Sequence, residues 1–496
     1  MSEFLAAPAP ETLPARVLRV GINSGIYALT TLLTGGLQFL LVPLYTRYLK
    51  TADYGILAVA ATVQLLIGIV LGLGLTSAVG RFYYDAKTRA ELGTLCGTLL
   101  FFLLLVPGAC VFALDRAGMH GALEIFAEVP FHPYLRLVLW SAYLSLFVTL
   151  PIGIYTSAQR PLAVLLVTVA SAAATIGFTL YYVVGRGEGA IGNLKGSLIG
   201  NGISAVISIA LLWQMAPLRF SGGILRGALL YALPFVPHAF ANLVISQSDR
   251  FVLQRFIPVG VLGLYSLAGQ VAFAVAAAVT AVNSASGATL LKLLKAGDHE
   301  HIPPLGTYAF LAMAAASLCV SLLGGDAIRA FTPERFHGAA SFLPWLALGY
   351  GFLGAYFIWS LGTWFSMRTS LVPLLTGLAG ALNLGLNLWL VPRYGARAAA
   401  VNMAIGYGAL ALLHGALAHK LHPIPWEYAR WARILCAAAL CYGAGVVFSP
   451  ASLLAEAALR CAVVLVLFPL VLVALGFLLP AEKQALIALL RGRRGR

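Results

Sequence analysis

Apolar runs recur almost from end to end of this chain, each about 18–25 residues long and so able to cross roughly 30 Å of hydrocarbon as a helix. Fourteen spans are predicted. The first six are 20–46, 54–78, 92–114, 134–157, 162–184 and 194–215; the next six are 229–248, 261–285, 305–324, 342–365, 371–391 and 396–418; the last two are 431–448 and 457–479. A membrane β-barrel would show runs of about 10 residues with period-two alternation, and these are absent. The pattern predicts an all-α polytopic membrane protein of about 14 transmembrane helices. Every connection is short. The longest, Asp115 to Pro133, has 19 residues and leaves no room for a soluble catalytic domain.

The polar punctuation repeats. Arg47-Tyr48-Leu49 and Tyr54-Gly55-Ile56 are echoed 208 residues later by Arg255-Phe256-Ile257 and Leu262-Gly263-Leu264, and the same offset carries Arg160 onto Arg368. The shift maps the first five spans onto the seventh to the eleventh. Near the sixth it slips, and Gly192 aligns best with Gly395. An even number of helices per unit makes the two six-helix repeats parallel, related by an axis along the membrane normal. The predicted organisation is a cytoplasmic tail (1–19), an N-terminal six-helix lobe (20–218), a C-terminal six-helix lobe (219–420), two additional helices (421–480) and a basic tail (481–496). Such a chain reads as a transporter built from two halves, with the substrate between them.

Composition agrees: only 10% of residues are charged and mean hydropathy is +0.91, against roughly 25% charged in soluble domains. The net charge of +15 would suggest nucleic acid in a soluble protein, but here no basic stretch is interleaved with aromatics outside the apolar runs. Loop Lys and Arg that set topology and meet anionic lipids account for it. With the N-terminus inside, the inner segments hold 19 Lys and Arg and the outer ones 13, so both termini are placed in the cytoplasm. Met1–Ala15 lacks a basic stretch ahead of an apolar core, and no cleavable signal peptide is expected. The six cysteines lie in apolar runs without CxxC spacing, so neither disulfides, a metal nor a cofactor is expected.

Charge inside a span is costly, about 2.5–3.5 kcal/mol at a helix centre on insertion scales. The exceptions sit near span ends: Arg47, Arg81, Asp249, Arg250, Arg255 and Lys292. Two readings stay open for the repeat mates Arg47 and Arg255. One is a cationic lining for an anionic substrate such as a diphosphate, which the planar guanidinium fork suits; the other is snorkelling to headgroups. In the seventh span Pro234 and Pro237 predict a bend. His238, Asn242, Ser246 and Asp249 follow at helical spacing and are expected to share a face, which either fronts a cavity or bonds to neighbouring helices across a tolerated proline kink. Asp249 is the only acid expected at membrane depth, and so the candidate for ion coupling. Asn383 and Asn387 are expected to bond across helices, and Gly68, Gly72 and Gly74 to permit close helix contact. The candidate binding set is Arg47, Arg81, His238, Asn242, Asp249, Arg250 and Arg255, with no catalytic or metal-binding residue. An enzyme reading would rest on Asp115, Arg116, His120, Glu124, Glu128 and His132 in the longest loop, too short a segment for such a role.

The segment Leu40-Leu41-Val42-Pro43-Leu44-Tyr45-Thr46-Arg47-Tyr48-Leu49, followed by Asp53-Tyr54-Gly55-Ile56, resembles the first-to-second helix region of bacterial polysaccharide transporters. Gly72-Leu73-Gly74-Leu75-Thr76-Ser77-Ala78-Val79-Gly80-Arg81-Phe82-Tyr83 and Leu262-Gly263-Leu264-Tyr265-Ser266 resemble the same proteins. These are the oligosaccharide, or O-antigen, flippases, in the superfamily that includes the multidrug and toxin extrusion (MATE) antiporters and the lipid II flippases. The resemblance covers the whole chain through the number and position of its spans. It implies a V-shaped, two-lobed fold with a central cationic cavity. It implies export of an undecaprenyl-diphosphate-linked oligosaccharide across the bacterial inner membrane by alternating access, for O-antigen, capsule or exopolysaccharide. Arg47, Arg81, Arg250 or Arg255 would then meet the diphosphate. The implied partners are the lipid-linked oligosaccharide, anionic membrane lipids, and a polysaccharide polymerase with its chain-length machinery. A cation-coupled multidrug antiporter is the alternative, and the first span, with Asn23 and Gln38 but no acid, argues against it.

Overall fold

The computed structural model describes residues 13–117, 129–366, 371–448, 452–480 and 482–484. Regular structure among them is helical throughout, because a backbone in hydrocarbon must satisfy its own N–H and C=O groups. The chain divides into two compact units, Met1–Gly263 and Leu264–Arg496. The first contains α1 (Leu13–Tyr48), α2 (Thr51–Gly72), α3 (Leu75–Tyr83), α4 (Arg89–Arg116), α5 (Arg136–Ser157), α6 (Pro161–Leu180), α7 (Gly189–Met215), α8 (Gly222–Ala232) and α9 (Phe235–Phe256). It also takes in the start of α10 (Val259–Ala296). The second contains the rest of α10 with α11 (Ile302–Phe331), α12 (Leu343–Trp359), α13 (Leu361–Phe365), α14 (Val372–Tyr394), α15 (Ala396–Leu421), α16 (Tyr428–Val447), α17 (Leu453–Ala462) and α18 (Phe468–Ala474).

Among the described residues 12 helical segments are long and apolar enough to cross a membrane. The two expected spans outside that set are the first and the seventh, which are repeat mates. The first lies in the 36-residue α1. The seventh is divided: α8 stops at Ala232 and α9 starts at Phe235. Pro234 has no N–H to offer the Leu230 carbonyl, so the helix cannot run through. The second span is divided as well, between α2 and α3, where Leu73 and Gly74 both take left-handed conformations (φ 45° and 68°).

In unit 1 the core is built from Leu92 and Leu99 of α4 with Leu139, Phe147, Leu150 and Ile154 of α5, all essentially buried. In unit 2 Trp431 is sandwiched between Phe310 and Trp359, with ring centroids at 4.3 and 5.5 Å. Its indole N–H donates to Thr307 Oγ1 at 3.0 Å. Large apolar side chains such as Leu166, Trp213 and Leu454 stand exposed, as a surface that meets lipid requires.

Candidate functional site

The repeat seen in the sequence is a physical contact in unit 1. A Cβ built on Gly55 would lie 1.9 Å from the Val259 carbonyl oxygen, and one built on Gly263 would lie 1.9 Å from the Thr51 carbonyl oxygen. Thr51 and Val259, like Gly55 and Gly263, stand 208 residues apart. The first turns of α2 and α10 therefore cross through reciprocal backbone contacts between repeat mates, and only glycine fits at either position. Arg47, in the last turn of α1, and Arg255, in the last turn of α9, flank this crossing in the chain, and both are exposed.

The remaining candidates fall in three places. Asp249 and Arg250 sit on one turn of α9, one turn before Arg255. Asp249 is buried and its Oδ1 accepts the Arg250 N–H at 2.8 Å. The Arg250 guanidinium is half-buried and donates to Gln247 Oε1 at 2.8 Å. Arg81 lies apart from this group, near the end of α3, about 45 Å along the span from Thr51 at 1.5 Å per residue. It is exposed and paired with Asp85 at 2.7 Å. The structure thus groups Arg47, Arg250 and Arg255 toward one end of unit 1 and places Arg81 toward the other. His238 and Asn242 are on α9, but their side chains lie outside the described residues. The expected common face does not extend to its next two positions: Ser246 is exposed whereas Asp249 is buried.

Asp249 is not the only buried acid among the described residues: Asp326 in α11 and Glu456 in α17 are 4% and 7% exposed. Arg460 bridges them, pairing with Asp326 through one Nη and with Glu456 through the other. Its Nε donates to the Gly445 carbonyl at 3.2 Å, and Arg329 reaches Glu456 at 2.8 Å. The Asp326 Oδ2 has no partner among the described residues. The signal was in the sequence as opposite charges three and four apart, Asp326 with Arg329 and Glu456 with Arg460. It was hidden because the apolar runs stop at 324 and begin at 457, while the helices extend to Phe331 and start at Leu453. A second buried cation, Arg430, pairs with Glu427 and Glu482 at 2.9 and 3.0 Å and lies over the Phe477 ring at 4.3 Å.

Asn383 and Asn387 bond across helices as expected. Asn383 donates to the Asn402 carbonyl, Asn402 to Asn387 Oδ1, and Asn387 to Asn383 Oδ1, each at 2.9 Å. Asp115, of the long loop, pairs with Arg136 at 2.7 Å; His120, Glu124 and Glu128 lie outside the described residues. All six cysteines are free.

Long apolar helices, with the second and seventh spans interrupted at Gly74 and Pro234, mark a multi-pass membrane protein. Solved structures share this fold. A lipid II flippase MurJ in an inward closed conformation aligns at a TM-score of 0.64 with 15% identity, over 91% of this chain and 98% of that one. An inward-facing MATE-family transporter of the MOP superfamily aligns at 0.62 with 14% identity, over 82% and 97%. The model of a family described as polysaccharide biosynthesis protein matches residues 20–290, and the chain belongs to that family. A succinoglycan biosynthesis transport protein, ExoT, of Rhizobium meliloti (strain 1021) is 25% identical over 278 residues, spanning about half of each chain (50% of this one, 49% of the relative).

Proposed function

We propose that this protein is an inner-membrane flippase that carries an undecaprenyl-diphosphate-linked oligosaccharide from the cytoplasmic to the periplasmic leaflet by alternating access, for surface polysaccharide biosynthesis. The observation that carries the reading is the union of a polysaccharide-biosynthesis family match with a fold aligned to a lipid II flippase over 91% of the chain. The physical logic fits such a cargo. Its polar headgroup cannot cross hydrocarbon, whereas its acyl tail can remain in it. Arg47, Arg250 and Arg255 are the groups we assign to the diphosphate, since Arg presents paired donors to phosphate oxygens. Both termini are assigned to the cytoplasm, and the glycan polymerase and chain-length machinery are assigned as downstream partners.

The test is transport itself. Cells depleted of the protein should accumulate lipid-linked oligosaccharide on the inner leaflet, and purified protein in vesicles should restore its movement. Equal appearance of cargo in the outer leaflet with and without the protein would refute the reading. Cation-coupled drug efflux is the second reading, favoured by buried Asp249 on α9 and the MATE-like fold. Loss of fluorescent-drug efflux in Asp249→Asn, with surface glycan unchanged, would select it.

A further inference from the structure

The interruptions of the second and seventh spans coincide in space. α2 and α9 are each 22 residues long, about 33 Å at 1.5 Å per residue, close to the roughly 30 Å of bilayer hydrocarbon. They pack on each other, from the Gly55–Gly263 crossing at one end to the two breaks at the other. Beyond the breaks, α3 packs on α8. At the junction a Cβ on Gly74 would lie 2.8 Å from the Ala232 carbonyl oxygen and 3.6 Å from the Phe235 Cβ. Gly74 takes φ +68° there, a conformation that favours glycine. Across from it Pro234 leaves the Leu230 carbonyl without its helical donor, and the Val236 N–H turns back to the Leu233 carbonyl at 3.1 Å. Both chains thus lose helical hydrogen bonding at one level.

The short helices are 9 and 11 residues long, about 14–17 Å. α3 buries Leu75, Ala78, Val79 and Tyr83 and turns Arg81 outward; α8 buries Ala228 and Ala232 and turns Arg226 outward. An edge-on contact of the Phe82 and Tyr231 rings, 6.4 Å between centroids, joins them.

We propose that α3 and α8 form a two-helix flap at one membrane face of unit 1, hinged on the α2–α9 strut at Leu73–Gly74 and Leu233–Pro234, and closed in this structure. The proposal rests on the transport reading, in which the flap admits the cargo headgroup. Closed, it seats Val79 on α5: the Val79 Cγ1 and Cβ lie 3.0 and 3.3 Å from the Cβ position of Gly153. That spacing is near the Cβ–Cβ separation of a disulfide, about 3.5–4.5 Å.

The experiment uses Val79→Cys/Gly153→Cys in full-length protein lacking its native cysteines, reconstituted with lipid-linked oligosaccharide. Oxidation should abolish transport and reductant should restore it, so a folding defect cannot mimic the result. Undiminished transport by the oxidised protein overturns the flap. A second measurement needs no cargo: Val79→Cys, at a position 1% exposed when closed, should label with a membrane-impermeant maleimide added from the flap side. Complete protection overturns the flap. Labelling in a protein that moves no lipid-linked oligosaccharide would leave the flap standing and remove the flippase reading.

Discussion

The glycine crossing permits a prediction with a number. In Gly55→Ala the new methyl would be 1.9 Å from the Val259 carbonyl oxygen, whereas a carbon meets an oxygen comfortably at about 3.3 Å. The first turns of α2 and α10 must therefore part by about 1.4 Å at that point. The obstacle is backbone, not the tip of a flexible side chain, so the strain falls in the upper part of the ~1–3 kcal/mol range for overpacking. Each of Gly55→Ala and Gly263→Ala should therefore destabilise by about 2–3 kcal/mol. The reciprocity supplies a sharper test. Once one methyl has driven the turns apart, the second meets less resistance, so the double variant should fall short of the summed effects by about 1–3 kcal/mol. Gly177→Ala in α6, where nothing lies within 4 Å of the new methyl, is the control and should be neutral or stabilising. The assay is reversible unfolding in mixed micelles. Single variants within about 0.5 kcal/mol of wild type, or strictly additive effects, would refute the crossing.

Three further outcomes are expected. Arg460→Met leaves Asp326 and Glu456 buried with only Arg329 beside them and should cost about 3–5 kcal/mol. Adding Asp326→Leu and Glu456→Leu should recover most of it in the same unfolding assay, since Arg329 is 39% exposed. Arg255→Glu should abolish glycan display while the protein still inserts, whereas Arg81→Glu, at the far end of the span and outside the assigned diphosphate group, should impair it less; equal display by wild type and Arg255→Glu would count against a cationic binding group. Finally, the exposed His301 has its pKa raised above 6.5 by its hydrogen bond to Asp298, which lowers the Asp298 carboxyl below 3.8. A raised histidine pKa stabilises fully below its unfolded value and loses that effect as pH rises through the folded value. The depressed carboxyl stabilises above its unfolded value and loses that effect as pH falls through the folded one. The pair thus holds between the two folded values, and histidine NMR of Asp298→Asn should show His301 titrating at lower pH than in wild type.

How much was legible can be judged residue by residue. The break at Pro234 was visible, because a missing N–H is a property of the residue itself. The break at Leu73–Gly74 was not: a leucine in a left-handed conformation has no local signature, and Gly68, Gly72 and Gly74 together suggested helix packing. The Asp326–Arg460 network has no such signature in hydropathy, because hydropathy windows end where charge appears even when the helix continues. Of the binding candidates, Asp249, Arg250 and Arg255 are neighbours because they share one helix, and Arg81 parts from them because α2 and α3 carry it to the other end.

By itself the sequence determined the class of molecule, an all-helical membrane protein with a duplicated plan. Hydropathy and backbone hydrogen bonding act over a single span, and a constant offset of 208 residues is visible without coordinates. Only the tertiary structure decided that the mates Gly55 and Gly263 touch, that two interruptions in spans 160 residues apart, Gly74 and Pro234, meet at one level, and that Glu456 shares Arg460 with Asp326. Each is a contact between segments distant in the chain. Such contacts depend on how whole helices pack, and no local pattern of residues encodes them.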